Sequence, residues 1–443
     1  MNFLLCKQQD SGAPHSQDLL VRWVRFLLLI LSVIIYVSYG LSNFIYICFS
    51  LLTTFVAARN LKQDDKNRKI VLVGTIIINT IILVGVKFLP YTSLNILAPL
   101  GVSYYTLQVI SYLVDVYKGK YEYEKNLFNY ALYIMYIPHL FIGPISRYDE
   151  MKKQIITNGK ITVSNLYNGG IRILWGLSKK LIIAGRIAIV IETITNNGYS
   201  GTYSLLAMLL YSIELYSDFS GGIDIVLGIS KMLGIDLIEN FDAPYYSQNI
   251  KEFWRRWHIS LSSWLRDYIY IPLGGSRCSK IRKAINVLIT FAVSGLWHGA
   301  NYILWGILHG IFVLMGDKYN TKSKWFNRFV NFIIVSFLWS FFIWNGNAEA
   351  IKMMASIFTN FNITEVWSNT LNLGLTIADW IVLFASTIIL FIYDGNKNKI
   401  LQRTKKISNP TKLAIICTLG LIVLTFGIYG IGFNVNEFIY SRF

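Results

Sequence analysis

Long, almost uninterrupted apolar stretches recur along this chain, and polar residues gather in short connectors between them. Phe26 to Tyr39, Ile70 to Leu89 and Ile381 to Tyr393 are the clearest runs. A helix that crosses a bilayer needs about 20 mostly apolar residues, so the pattern predicts membrane-spanning helices. Candidate spans are residues 19–39, 41–58, 70–89, 94–116, 127–145, 169–196, 201–217, 223–235, 285–296, 300–316, 326–344, 375–393 and 411–431. The runs are solidly apolar rather than alternating, which speaks against an outer-membrane barrel. Candidates 223–235 and 285–296 are too short to cross alone and are expected to dip in and return. Broken backbone at membrane depth survives only where protein or a water-filled cavity surrounds it. A protein-enclosed cavity is therefore expected between residues 220 and 310. The expected fold class is all-α, a polytopic membrane protein of about ten to twelve transmembrane helices with re-entrant helices.

Composition narrows the class further. Of 443 residues, 54% are hydrophobic and 15% charged, against roughly 25% charged in globular chains. That excludes a secreted enzyme, a peripheral protein and a single-anchor receptor. A net charge of +17 would suggest nucleic acid in a soluble chain. Here the basic residues crowd into connectors, where cytoplasmic loops carry them, and no nucleic-acid partner is expected. Arg59, Lys62, Lys66, Arg68 and Lys69 follow the second span, so that loop and the N-terminus are expected in the cytoplasm. Lys251 to Lys283 carries eight Lys or Arg residues, and it is expected on the same side, with Lys318 to Arg328 and Lys397 to Lys406. The last span then leaves residues 432–443 as an extracytoplasmic tail. Segment 345–374 reads as an external loop carrying a short helix. Cys6, Cys48, Cys278 and Cys417 lie far apart, without a disulfide framework or metal spacing. A mostly polar stretch of eighteen residues precedes the first long apolar run, which has no small-residue cleavage site, so no cleavable signal is expected. No repeat or linker marks a second domain, and residues 1–443 read as one membrane domain.

Two segments carry candidate chemistry. In Lys251 to Gly275, Trp254, Trp257, Leu261, Trp264 and Tyr268 recur at spacings of three and four, which predicts one stripe of a single helix. Arg255, Arg256, His258, Ser262 and Arg266 fall to its sides. Such a helix is too polar to face lipid, where a central Arg costs about 2.5–3.5 kcal/mol on insertion scales. It is also too aromatic for an ordinary loop; the plainer alternative is an interfacial helix with Trp and Arg anchors. The second segment is Ser294-Gly-Leu-Trp-His298-Gly through His309-Gly. His298 and His309 are eleven residues apart, close to three helical turns, and are expected on nearly the same face. An ionisable residue inside an apolar span is a functional candidate. Gly295 and Gly299 would let another backbone or a thin ligand approach closely. His258, His298 and His309 together point to a site, whereas His139, beside Pro138, reads as packed at a helix break and His15 as solvated.

Longer motifs then connect the chain to a family. These are Ala98 to Tyr117, Gly143-Pro-Ile-Ser-Arg-Tyr148, Tyr216-Ser-Asp-Phe-Ser-Gly221, Glu239-Asn-Phe-Asp-Ala-Pro-Tyr245, Phe253 to Gly275 and Leu296-Trp-His-Gly299. In this order they resemble the membrane-bound O-acyltransferase superfamily, and within it the bacterial branch typified by the membrane subunit of alginate O-acetylation. The resemblance covers residues 95–310, the motif-bearing core, and in outline the whole chain. That branch usually opens with an apolar segment, whereas here polar residues run through Asp18.

The resemblance implies a many-helix bundle around a funnel or tunnel, with His298 as the essential residue. His258 stands where the superfamily places its second polar catalytic residue. The chemistry of the residues agrees. An acyl thioester must meet a hydroxyl in a passage shielded from water, or hydrolysis competes. His298 would accept the hydroxyl proton, and His258 would orient the carbonyl or stabilise its oxyanion. Arg255, Arg256 and the basic loop through Lys283 would face the phosphates of acetyl-coenzyme A, unless those charges only mark the inner side of the membrane. Trp254 and Trp257 complete the donor-binding candidates, and His309, Trp297 and Asn301 are candidates to line the tunnel. No metal and no permanently bound cofactor are expected, acetyl-coenzyme A being the donor substrate.

The ending Phe438-Ile-Tyr-Ser-Arg-Phe443 resembles the tail of a small companion protein of teichoic-acid D-alanylation. It implies Tyr440 as an acyl shuttle, since an aryl ester splits one transfer into two easier ones; an interfacial aromatic anchor is the alternative. The expectation is an acetyltransferase of the bacterial cytoplasmic (inner) membrane. It would pass acetyl towards an exported polysaccharide with an extracytoplasmic esterase-type (SGNH-type) partner. D-alanyl transfer from a carrier protein, and a transporter or flippase without acyl chemistry, are the alternatives.

Overall fold

The computed structural model describes residues 16–61, 66–88, 101–158, 161–316, 318–344, 346–364, 373–404 and 406–429. Among the described residues the chain is helical, with no strand. Five segments of the described residues are long and apolar enough to cross a membrane: Leu41–Arg59, Arg68–Gly85, Lys324–Phe342, Ile377–Thr404 and Asn409–Phe426. The all-α polytopic expectation is met. The polar N-terminal residues and the tail with Tyr440 lie outside the described residues.

Helices α1 (Ser16–Ser38), α2 (Leu41–Arg59) and α3 (Arg68–Phe88) turn apolar side chains such as Ile34, Ile45 and Ile78 outward. Their inner faces bury Tyr36, Ile47 and Phe55 in one core with α4 (Val102–Tyr117), α5 (Leu127–Ile134) and α7 (Tyr148–Lys152). The candidate span 127–145 is broken, because α5 stops before Pro138 and the short α6 (Ile137–Ile142) restarts there. His139 on α6 is buried beside Gln108 and Ser146.

The centre is built on α8 (Val163–Ser178), which runs through a π-helical turn, Lys179–Ala184, into α9 (Gly185–Asn196). It packs along α10 (Thr202–Met232), 31 residues long, about 46 Å at 1.5 Å per residue. Candidate spans 201–217 and 223–235 are thus one continuous helix, not a span and a re-entrant piece. The polar, glycine-rich stretch between them is paired inside the protein instead of breaking the helix. Asp218 binds Lys180, and a side chain on Gly221 or Gly176 would strike the backbone of the other helix.

Further along are α11 (Ile250–Arg256), α12 (Ile259–Leu265), α13 (Lys280–His298), α14 (Ile303–Met315), α15 (Lys324–Trp339) and α16 (Asn347–Thr359). The chain closes with α17 (Ile377–Thr404) and α18 (Asn409–Phe426), both largely exposed along their apolar windows. Candidate 285–296 is the middle of α13. A large aromatic core joins α9, α10, α11, α14 and α15, and α12 and α13 pack against α4 in a smaller one.

Candidate active site

The tryptophan–arginine segment does not form the single helix expected from its spacing. The Asn249 side chain caps α11 by accepting from the Glu252 N–H at 2.9 Å. The helix then stops, and His258 takes a left-handed conformation, φ +44°, which non-glycine residues adopt at a cost of about 1–3 kcal/mol. The compensation comes from residues 240–242. The Ile259 N–H donates to the Asn240 carbonyl at 3.0 Å, the Ser260 N–H to Asn240 Oδ1 at 2.9 Å, and the Asp242 N–H to the Arg256 carbonyl at 3.0 Å. The break splits the aromatic stripe. Trp254 and Trp257 face the large core, while Trp264 donates to the Leu107 carbonyl at 2.8 Å and Tyr268 to Asp115 at 2.8 Å.

His298 and His309 do not share one helix either, because α13 ends on His298 and Gly299 (φ +149°) turns the chain into α14. The two helices return as a close hairpin, since side chains on Gly295 or Gly306 would collide with the facing backbone. Trp305 then lies between the rings, 5.4 Å from His298 and 4.8 Å from His309 by centroid. Sequence spacing placed the histidines near each other for the wrong reason.

The geometry brings His258 (1% exposed) and His298 (8%) to one void of about 10 Å³, walled by Trp254, Trp257, Trp305 and Trp339. That is at most the room for one water. Beyond Trp254 lies a vestibule of about 380 Å³. Lys251, Arg255, Arg266 and Lys283 ring it, Leu265, Val287 and Phe291 floor it, and none of the lining residues among the described ones is acidic. Trp254 lines both spaces. Trp297 packs between the site and α4, with its ring 6.3 Å from that of His258 and 4.8 Å from that of His298.

Other candidates fall elsewhere. Arg256 turns away from the vestibule, pairing with Glu252 at 2.8 Å. Asn301 is exposed in the turn after Gly299. His309 is fully buried and accepts the Trp254 indole N–H. Tyr440 lies outside the described residues. No group of His, Cys, Asp and Glu able to hold a metal occurs among the described residues.

Several contributors had no separate signal in the sequence. Trp305 and Trp339 look like core aromatics until the fold places them around the histidines. Asn240 looks like a loop residue. Ser294 was within reach: one turn before His298, it lines the vestibule, and its buried Oγ has no hydrogen-bond partner among the described residues. Chemically, the arrangement offers two imidazoles in a water-excluding space beside a cationic chamber.

Comparison with known proteins gives the family. The profile of MBOAT, the membrane-bound O-acyltransferase family, matches residues 123–358. The chain is 36% identical over 321 residues to "Probable alginate O-acetylase AlgI" of Pseudomonas syringae pv. tomato, covering 70% of this chain and 61% of that protein. It therefore spans less than two thirds of that relative's length. It is 32% identical over 306 residues to a peptidoglycan O-acetyltransferase of Helicobacter pylori, covering 60% and 57%. It is 30% identical over 356 residues to a teichoic acid D-alanyltransferase of Bacillus subtilis, covering 72% and 89%. With its helical architecture, its apolar spans and its Trp-His-Gly turn, the chain belongs to the membrane-bound O-acyltransferase family.

Proposed function

We propose that this protein transfers acetyl from acetyl-coenzyme A, taken at the basic vestibule on the cytoplasmic side, to a hydroxyl on the route to an exported polysaccharide. The observation that carries this reading is the position of Trp254, between a chamber of four cations and the void shared by His258 and His298. Arginine and lysine suit the phosphates of the donor, and the apolar floor suits its pantetheine arm. The void is smaller than an acetyl group, so Trp254 is the wall that yields when the donor arrives.

In the reaction the acceptor oxygen attacks the thioester carbonyl while His298 takes the hydroxyl proton. The new C–O bond forms, the C–S bond breaks, and the proton on His298 passes to the departing thiolate to give coenzyme A. General-base help of this kind contributes about 10²–10⁴ in rate. His258 orients the carbonyl or holds its oxyanion. Tyr440 is the proposed first acceptor, handing acetyl outside to an esterase-type partner. The relatives named for alginate and peptidoglycan acetylation support a polysaccharide as the final acceptor, and the bacterial inner membrane is the proposed location.

D-alanyl transfer is the second reading, supported by the Bacillus subtilis relative. An α-ammonium would enter a void with no carboxylate lining it among the described residues, and that favours acetyl. Family membership stands against a transporter. The test is radiolabelled acetyl-coenzyme A with the full chain in nanodiscs. The expected result is thioester cleavage and label on Tyr440, both lost in His298→Ala at unchanged abundance. Full activity of His298→Ala overturns the site, and activity only with a D-alanyl carrier protein overturns the donor.

A further inference from the structure

A second cavity, of about 590 Å³, lies between α8, α10, α17 and α18, and neither His258 nor His298 lines it. Its wall carries three cations, Arg172, Lys179 and Lys397, and three inner carboxylates, Asp224, Glu239 and Asp394. Most are already paired. Arg172 binds Asp224 at 2.9 Å and Glu239 at 2.6 Å, Lys179 binds Asp224 at 2.5 Å, and Lys397 reaches Glu239 at 3.5 Å. Asp394 stands apart. It is 9% exposed and accepts the Tyr216 hydroxyl at 2.6 Å, and among the described residues no Lys or Arg nitrogen lies within 4 Å of it.

The surroundings of Asp394 are aromatic. The Trp175 and Tyr393 rings pack 4.6 Å apart on the same wall, and the Trp175 Nε1 is buried without a hydrogen-bond partner among the described residues. A carboxylate among Trp and Tyr faces is an environment that takes an ammonium group. Among the described residues the lining charges sum to zero, Lys231 and Asp236 at the rim being one more opposed pair. Such a cavity favours a ligand that carries both signs over one with net charge.

Depth identifies the source. Along α17 the chain is apolar from Ile381 to Tyr393 and turns polar at Asp394, Asn396 and Lys397, the level at which hydrocarbon gives way to headgroups. The outer wall belongs to α17 and α18, whose apolar faces are largely exposed, as at Phe384 and Leu421. We propose that this cavity binds the headgroup of a zwitterionic phospholipid, with its ammonium on Asp394 and its phosphate against Lys397 and Arg172. The volume lies within the usual range for ligand pockets. The bound lipid would tie α17 and α18 to α8 and α10.

The test is native mass spectrometry of the full chain after extraction from nanodiscs made of equal phosphatidylethanolamine and phosphatidylglycerol. The expected result is about one retained phosphatidylethanolamine per chain with phosphatidylglycerol depleted, and about fivefold less retention in Asp394→Asn, equivalent to about 1 kcal/mol. Asp394→Asn keeps the acceptor for Tyr216. Lys397→Gln, which acts from the phosphate end, is expected to lower retention as well, so a failure of one variant to fold does not decide the matter. Equal retention of both lipids, or unchanged retention in both variants, overturns the proposal. So does soluble phosphoethanolamine raising the unfolding temperature as much as the lipid does, because the ligand would then be a free zwitterion.

Discussion

The indole N–H of Trp254 donates to Nδ1 of His309 at 3.1 Å, joining α11 to α14. A ring nitrogen that accepts carries no proton, so His309 is a neutral imidazole with its hydrogen on Nε2. The bond holds the wall between vestibule and void. His309→Phe leaves the indole donor unsatisfied and is expected to cost about 1–3 kcal/mol of stability. His309→Gln restores an acceptor and recovers part of it. Thermal unfolding in detergent checks this, and equal stability of the two variants contradicts it.

Arg255 and Arg256 are neighbours with opposite expected phenotypes. Arg255 lines the vestibule and makes no ion pair among the described residues, so Arg255→Gln should raise KM for acetyl-coenzyme A about tenfold, the size of one charge-assisted hydrogen bond. The effect should shrink at high salt. Arg256 pairs with Glu252 and does not line the vestibule, so Arg256→Gln should leave KM within about twofold. Initial-rate kinetics at two salt concentrations separates them; equal KM changes would remove the vestibule from the donor path.

Asn240 holds the break that sets His258. Its Oδ1 accepts from the Ser260 N–H and the side chain is wholly buried. Asn240→Ala is expected to destabilise the protein by about 1–3 kcal/mol and to depress acetyl transfer with it, whereas Asn240→Asp keeps the acceptor and most of both. Retained activity in a destabilised Asn240→Ala would show that His258 keeps its place without this anchor.

Acid should loosen the connector between α4 and α5. Burial pushes the Glu124 carboxyl up, but hydrogen bonds from the Tyr148 hydroxyl, the Asn126 N–H and Lys152 outweigh it and hold the group below the ordinary carboxyl range. A depressed folded value means stability that is complete above the unfolded value of about 4.3 and lost as pH falls from there through the folded one. Tyr148→Phe should flatten that acid-side slope. Unfolding midpoints between pH 3 and 7 measure it, and an unchanged slope contradicts the assignment.

Much of the molecule was legible before the fold was known. The apolar runs marked the outer helices, and the Trp-His-Gly and Trp-Arg-Arg-Trp-His segments pointed to the two histidines that share a void. The reading failed where backbone behaviour depends on distant partners. Residues 218–222 looked like a break because polar and glycine residues usually end a span, yet Lys180 and the backbone at Gly176 satisfy them within α10. The stripe from Trp254 to Tyr268 looked like one helix because its spacing is helical, yet hydrogen bonds donated to Asn240 pull it apart at His258.

By itself the sequence determined the solvent: the length and apolarity of its runs place most of the chain in lipid, since the transfer free energy of a side chain depends on its own atoms. It also supplied the two imidazoles and the basic segment beside them. Only the tertiary structure decided that Trp254 divides a cationic chamber from those rings, and that Asp394 joins residues of four helices around a second cavity. These relations are set by packing and hydrogen bonds between segments far apart along the chain, for which no local pattern carries a signal.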